Sequence, residues 1–329
     1  MSNTNLHPRV IVISTDGDFT VQIVTDWMSV KGACVDRLVL TDDNISFPIC
    51  VKGFDSILAL EKDTDLKACD RIWLHRSRRI ITTQKNSFRN RITHFQKQEI
   101  RMLYDYVLNE LPEKLFVVPP VKVDVNKLLV LKKAKSLGMV IPHTIVTNSK
   151  NEVYKFLDEH GASIIKPLSN CFSVVHKKQT YSMFTSILDK ELIDKQEDLL
   201  FPIMIQERIE KKYDIRTFFL NGSMYSMAIF SQLDSSTRTD WRISQQRNSI
   251  RNVPYLLPEK IQDAVRSLMN ELELKTGSID FILSKTDEYV FLEVNPVGQF
   301  GMVSELCNYS LYNKFADFVI GNEEQGLEK

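Results

Sequence analysis

The octapeptide Tyr289-Val290-Phe291-Leu292-Glu293-Val294-Asn295-Pro296 alternates as a half-buried strand does. Side chains on a strand point to opposite faces in turn, so Glu293 and Asn295 project one way and Val290, Leu292 and Val294 the other. Thirteen residues before Glu293, Ser278-Ile279-Asp280-Phe281-Ile282-Leu283 alternates likewise, with Asp280 on the polar face. With Lys285-Thr286-Asp287-Glu288 as a four-residue hairpin loop, Phe281 pairs with Leu292, Ile279 with Val294, and Asp280 comes opposite Glu293. Two carboxylates and an amide oxygen on one face make an oxygen donor set for a hard cation, Mg²⁺, beside phosphates. The solvated face of an ordinary hairpin has the same pattern, so the rest of the chain must decide.

The 329 residues suffice for two or three packed subdomains, and 43% hydrophobic content is that of a globular protein. Lysine plus arginine (42) balances aspartate plus glutamate (42), which gives no general basic field for nucleic acid. Cys34, Cys50, Cys69, Cys171 and Cys307 are scattered and form no C-x-x-C pair, which argues against a disulfide framework or zinc site and for a reducing compartment. The amino terminus lacks signal-peptide order, and no apolar run approaches membrane-spanning length. A cytoplasmic protein that binds neither membrane nor nucleic acid is expected.

Upstream, the apolar β-branched run 9–14 predicts a buried strand, followed by a helix over 20–33 and strands over 35–40 and 71–74. Ile100, Leu103, Tyr104, Val107, Leu108 and Leu111 have helical spacing up to Pro112, and 115–118 reads as a strand stopped by Pro119-Pro120. Strands alternating with helices predict an open α/β domain over 1–120. The second domain, 121–329, begins with a helix over 126–137 that stops at Gly138. Ser149-Lys150-Asn151-Glu152 reads as a capping box opening a helix that ends at Gly161. Strands are expected over 162–166 and 203–207, and Asn221-Gly222 marks a tight hairpin. Pro258 opens an amphipathic helix, and a last helix spans 304–320.

In this order stand Lys127, Lys166, Gln206-Glu207-Arg208-Ile209, Asp214-Ile215-Arg216, Asp240-Trp241-Arg242 and Asp280…Glu293-Val294-Asn295. The series resembles the ATP-grasp carboxylate ligases over about residues 120–325, with the first 120 residues in the place of the pre-ATP-grasp domain. The resemblance implies an α/β (α+β) ATP-grasp fold with ATP and Mg²⁺ as cofactors. It implies that Lys127 and Lys166 contact the α- and β-phosphates as compact charges. Gln206 lies in the hinge strand, where the main chain of Glu207 and Ile209 reads the adenine edge, and either Glu210 or Asp214 takes the ribose. Arg216 and Arg242 hold the γ-phosphate or an acyl phosphate with forked donors. Asp280, Glu293 and Asn295 ligate one or two Mg²⁺ ions. Asp240 is a candidate general base, for which a turn carboxylate is the plainer reading. One departure is the phosphate-covering segment Leu168-Ser169-Asn170-Cys171-Phe172-Ser173, which holds no glycine where that family has several.

Within the superfamily the chain most resembles the graspetide synthetases, the microviridin-type and grasp-with-spasm peptide maturases. That likeness rests on Ile72-Trp73-Leu74-His75-Arg76, Asn126-Lys127-Leu128, Tyr213-Asp214-Ile215-Arg216, Thr239-Asp240-Trp241-Arg242 and Glu293-Val294-Asn295-Pro296-Val297-Gly298-Gln299-Phe300. It implies activation of Asp or Glu side chains in a precursor peptide, leader plus acidic core, and their linkage to Thr or Ser as esters or Lys as amides. A homodimer is implied too. Arg238, Arg242, Arg247 and Arg251 cluster after the hairpin and suit an acidic peptide, and Arg76 ends a strand of the first domain. An amino-acid or glutamate ligase of small substrates shares every nucleotide residue and stands as the alternative, with a non-catalytic nucleotide-binding module third.

Overall fold

The structure, a computed structural model, describes residues 7–15, 17–41, 44–45, 49–52, 56–59, 64–75, 88–123, 125–169, 173–176, 179–182, 185–233 and 250–322. Two compact units divide the chain. One comprises Met1–Asp124, Gln299–Glu305 and Tyr309–Lys329, the other Val125–Gly298 and Leu306–Asn308.

The first unit opens with β1 (Arg9–Thr15), whose interior residues Val10 to Ser14 are all buried, as a central parallel strand requires. The Asp18 side chain then caps α1 (Phe19–Val30) by accepting from the Val21 amide. Next come β2 (Cys34–Thr41), β3 (Asn44–Ile45), β4 (Ile49–Lys52), β5 (Ser56–Ala59), β6 (Thr64–Asp65), β7 (Arg71–His75) and α2 (Phe88–Glu110). Strands β2 and β7 flank β1, both parallel to it, in the order β3-β2-β1-β7, while β4, β5 and β6 form a separate small sheet. The short strands β3 to β6 have no counterpart in the sequence reading. The strand expected over 115–118 is absent: Phe116 makes a single bridge to Ile72, and Val117 donates to the Ile72 carbonyl. Pro112, Pro119 and Pro120 crowd this segment and lack the amides that a longer ladder needs.

In the second unit Asn126 caps α3 (Lys127–Ser136), accepting from the amides of Leu128 and Leu129. The chain continues through β8 (Thr144–Ser149), α4 (Lys150–His160), β9 (Ser163–Lys166), β10 (Ser173–His176), β11 (Gln179–Ser182), β12 (Ser186–Ile187), α5 (Lys190–Asp194) and β13 (Leu199–Glu207). Strands β12-β9-β13-β8 make one sheet, whose core packs Val153 and Phe156 of α4 on Leu188, Ile193 and Ile205. Helix α4 starts where expected, but the Ser149 hydroxyl caps no amide, and Glu152 pairs with Lys155 instead of reaching back.

A second sheet is wholly antiparallel: β14 (Lys211–Leu220), β15 (Ser223–Ile229), β16 (Asn252–Tyr255), β17 (Thr276–Ser284) and β18 (Tyr289–Asn295), in the order β16-β15-β14-β17-β18. Helix α6 (Glu259–Glu271) sits between β16 and β17 in sequence and buries Val265, Leu268 and Met269. Asn221 (φ 44°) and Gly222 (φ 90°) make the β14–β15 turn, where a two-residue hairpin needs positive φ twice. Asp280 faces Glu293 and Ile279 faces Val294, as the alternation predicts. Phe281, however, pairs with Phe291, because a bulge at the Asp280/Phe281 step leaves Leu292 unmatched. One extra residue turns a strand locally, and Leu292 lines the same cleft as Glu293.

The helix expected over 304–320 is two, α7 (Gly301–Leu306) and α8 (Leu311–Ile320). Asn308 and Ser310 between them adopt left-handed φ of 55° and 54°, which breaks the helical run. The Ser304 hydroxyl accepts the first amide of α8, from Leu311. Helix α8 packs on α1, and its Phe315 meets Trp73 of β7 at 5.2 Å between ring centres. Among the described residues no helix is long and apolar enough to cross a membrane.

Candidate active site

Strand register alone sets Arg216, Asp280 and Glu293 side by side across β14, β17 and β18. Arg216 is buried and donates through Nη1 to both Asp280 carboxylate oxygens, at 3.0 and 3.1 Å. Lys127, on the first turn of α3, places Nζ 3.7 Å from Glu293 Oε2 and donates to the carbonyls of Pro167 and Ser169. Each carboxylate thus stands against a fixed cation, which offsets the mutual repulsion of two like charges in one row. Asn295 is exposed two residues past Glu293, so the donor set is oxygen-only, the chemistry that suits Mg²⁺.

Asp280 and Glu293 line a solvent-open cleft together with Lys166, Gln206, Glu207, Ile209, Lys211 and Asp214. Gln206 is buried on the wall and donates Nε2 to Thr144 Oγ1 at 3.0 Å. Its Oε1 is buried with no hydrogen-bond partner among the described residues. An unmatched buried acceptor costs about 1–3 kcal/mol, and an amino group such as that of adenine would satisfy it. Glu207 is fixed twice by His143: its amide donates to the His143 carbonyl and its Oε1 accepts the His143 amide, each at 3.0 Å.

The two ribose candidates differ. Asp214 lines the cleft, held by Lys211 Nζ at 2.8 Å to each oxygen and by the Ser231 hydroxyl. Glu210 is exposed, and the hydrogen-bonded ammonium of Lys285 holds its carboxyl below the usual carboxylate range. Sequence reasoning passed over Lys211, Ser231 and Thr144. Lys211 and Lys212 look alike in sequence, but a bulge between Lys211 and Tyr213 turns Lys211 inward, while Lys212 pairs with Asp287 outside. No local signal in the sequence separates the two.

Gly298 has a definite task beside Asn295. A Cβ there would come within 2.5 Å of the Ser278 amide nitrogen, and its own amide donates to the Asn295 carbonyl. Only glycine lets the chain turn this close to β17. Arg251 is exposed, its guanidinium carbon 5.2 Å from the Phe230 ring centre. Arg76, Arg238, Asp240, Arg242 and Arg247 lie outside the described residues, as do Asn170, Cys171 and Phe172 of the glycine-free segment.

Residues 126–255 match the family model of the prokaryotic glutathione synthetase ATP-grasp domain. The macrocyclase MdnC of Microcystis aeruginosa, solved with precursor peptide MdnA, is similar at 25% identity and a TM-score of 0.81, over 95% of this chain and all of that one. A RiPP-associated ATP-grasp ligase of Chryseobacterium gregarium, in complex with ADP and a leader and core peptide, shares the fold. It gives a TM-score of 0.80 at 22% identity, over 96% of this chain and 98% of that one. An uncharacterized protein of Methanocaldococcus jannaschii is 28% identical over 197 residues, 59% of this chain. The match spans 44% of that relative's length.

Proposed function

We infer that this ATP-grasp ligase closes macrocycles in a ribosomally made peptide, joining Asp or Glu side chains to Thr or Ser as esters or to Lys as amides. The likeness to a macrocyclase along almost the whole chain carries the peptide part of this reading. The row Arg216–Asp280–Glu293, whose two carboxylates line the cleft, supports its chemistry. ATP supplies the phosphoryl group that turns the peptide carboxylate into an acyl phosphate with release of ADP, and Mg²⁺ neutralises the phosphates. The peptide hydroxyl or amine then displaces phosphate.

In this reading the residues divide the work as follows. Gln206 Oε1 and the main chain of Glu207 and Ile209 orient the base. Asp214, steadied by Lys211, receives a ribose hydroxyl: a carboxylate has about four acceptor sites, and three are engaged, leaving one on Oδ1. Lys127 and Lys166 draw the α- and β-phosphates in. Asp280, Glu293 and Asn295 hold Mg²⁺, and Arg216 with Arg242 steadies the charge that builds on the transferred group. Arg76, Arg238, Arg247 and Arg251 border the acidic peptide, Asp240 is the candidate base, and two copies associate as a dimer.

The test incubates the protein with ATP, Mg²⁺ and a candidate acidic precursor peptide and follows peptide mass. Loss of one water per bond, with ADP formed in proportion, supports macrocyclisation. Gain of an amino-acid residue mass when glutamate is supplied turns the assignment to the small-substrate ligases, the kind whose domain model the chain matches.

A further inference from the structure

At the ends of β8, α4 and β13, three residues far apart in sequence come together. His143 precedes β8, His160 ends α4, and Glu207 ends β13. One ligating atom from each lies within 4.8 Å of the other two. We propose that His143, His160 and Glu207 form a site for a divalent transition metal of the zinc class, with water as fourth ligand.

The chemistry of the set and its supports favour this. Two imidazoles and one carboxylate are the donors of open tetrahedral zinc sites. Glu207 Oε1 is already engaged by the His143 amide at 3.0 Å, which fixes the carboxylate and leaves Oε2 to ligate. The His160 ring is held against Phe156 at 4.6 Å between ring centres. It also sits at the carboxyl end of α4, where the helix dipole favours a cation. The two imidazoles stack at 4.3 Å with 18° between planes, which sets the rings side by side. Zinc–nitrogen bonds of about 2.0–2.1 Å ask for ligand atoms roughly 3.3 Å apart. His143 is exposed, and metal binding requires its side chain to rotate out of the stack so that the gap closes and the lone pairs meet at one point. Hard Mg²⁺ prefers the all-oxygen set at Asp280 and Glu293, so the two sites take different ions.

The experiment titrates the full chain with Zn²⁺ in a large excess of Mg²⁺, which keeps the carboxylate set filled. Wild type is expected to bind one Zn²⁺ and to melt at higher temperature with it. H143Q and H160Q should each lose about 10- to 100-fold in affinity or more, and the thermal gain should vanish. Co²⁺ in place of Zn²⁺ should give d–d absorption without thiolate charge transfer. Unchanged affinity in both variants, no Zn²⁺ uptake by wild type, or a thiolate band each overturns the site. Should His160→Gln disturb the packing on Phe156, the exposed His143→Gln carries the comparison alone.

Discussion

Glu293 is the residue on which the chemistry turns, because it shares a register row with Asp280 and lies within reach of Lys127. Glu293→Gln keeps size but replaces one carboxylate oxygen by an NH2 donor and removes the charge that a divalent cation needs. Ligation should fall roughly 10²-fold or more with the circular dichroism spectrum unchanged. Full activity in this variant would remove Glu293 from the metal-binding set. Lys211 makes a different prediction. Its ammonium and the Asp214 carboxylate are both almost fully buried, so Lys211→Met strands a buried charge. That should cost about 3–5 kcal/mol of unfolding free energy in urea titration, and adding Asp214→Asn should recover part of it. Asp280 and Glu293 were legible from alternation because strand periodicity assigns faces. Lys211 was not, because its inward turn depends on a bulge that only the neighbouring strand imposes.

Elements with strong local grammar were readable in advance. The Asn221-Gly222 hairpin and the Asn126-capped helix form where turn and cap chemistry put them. Failures fell where tertiary surroundings overrule local pattern. Residues 115–118 have strand composition but find a single bridge, and the last helix is cut by left-handed Asn308 and Ser310. The bulge that leaves Leu292 unmatched also escaped, since alternation counts residues and a bulge miscounts them by one. Gly298 offers a test at this scale. Gly298→Ala drives a methyl against the Ser278 backbone and must shift either β17 or the turn that carries Asn295. About 1–3 kcal/mol of stability should be lost, with weakened Mg²⁺-dependent nucleotide binding by calorimetry. Wild-type melting and nucleotide affinity in this variant would remove the close-approach argument.

For the molecule as a whole, a formal net charge of zero conceals local arginine density over 238–251, of which Arg251 is placed beside Phe230. Reversing Arg247 and Arg251 to glutamate should raise the KM for an acidic peptide severalfold and leave ATP binding as it was, read from steady-state kinetics and calorimetry. Equal peptide kinetics would move the peptide face elsewhere. A different consequence follows from α8 packing on α1 within one unit, although the whole second unit lies between Asp124 and Leu311 in sequence. During translation the opening segment must wait for the closing one, about 180 residues later, which is roughly 10–40 s of elongation. The middle of the polypeptide is free to fold in that interval. The first unit stays without this packing partner until α8 has been made, so a nascent chain stalled before Leu311 should be the protease-sensitive form.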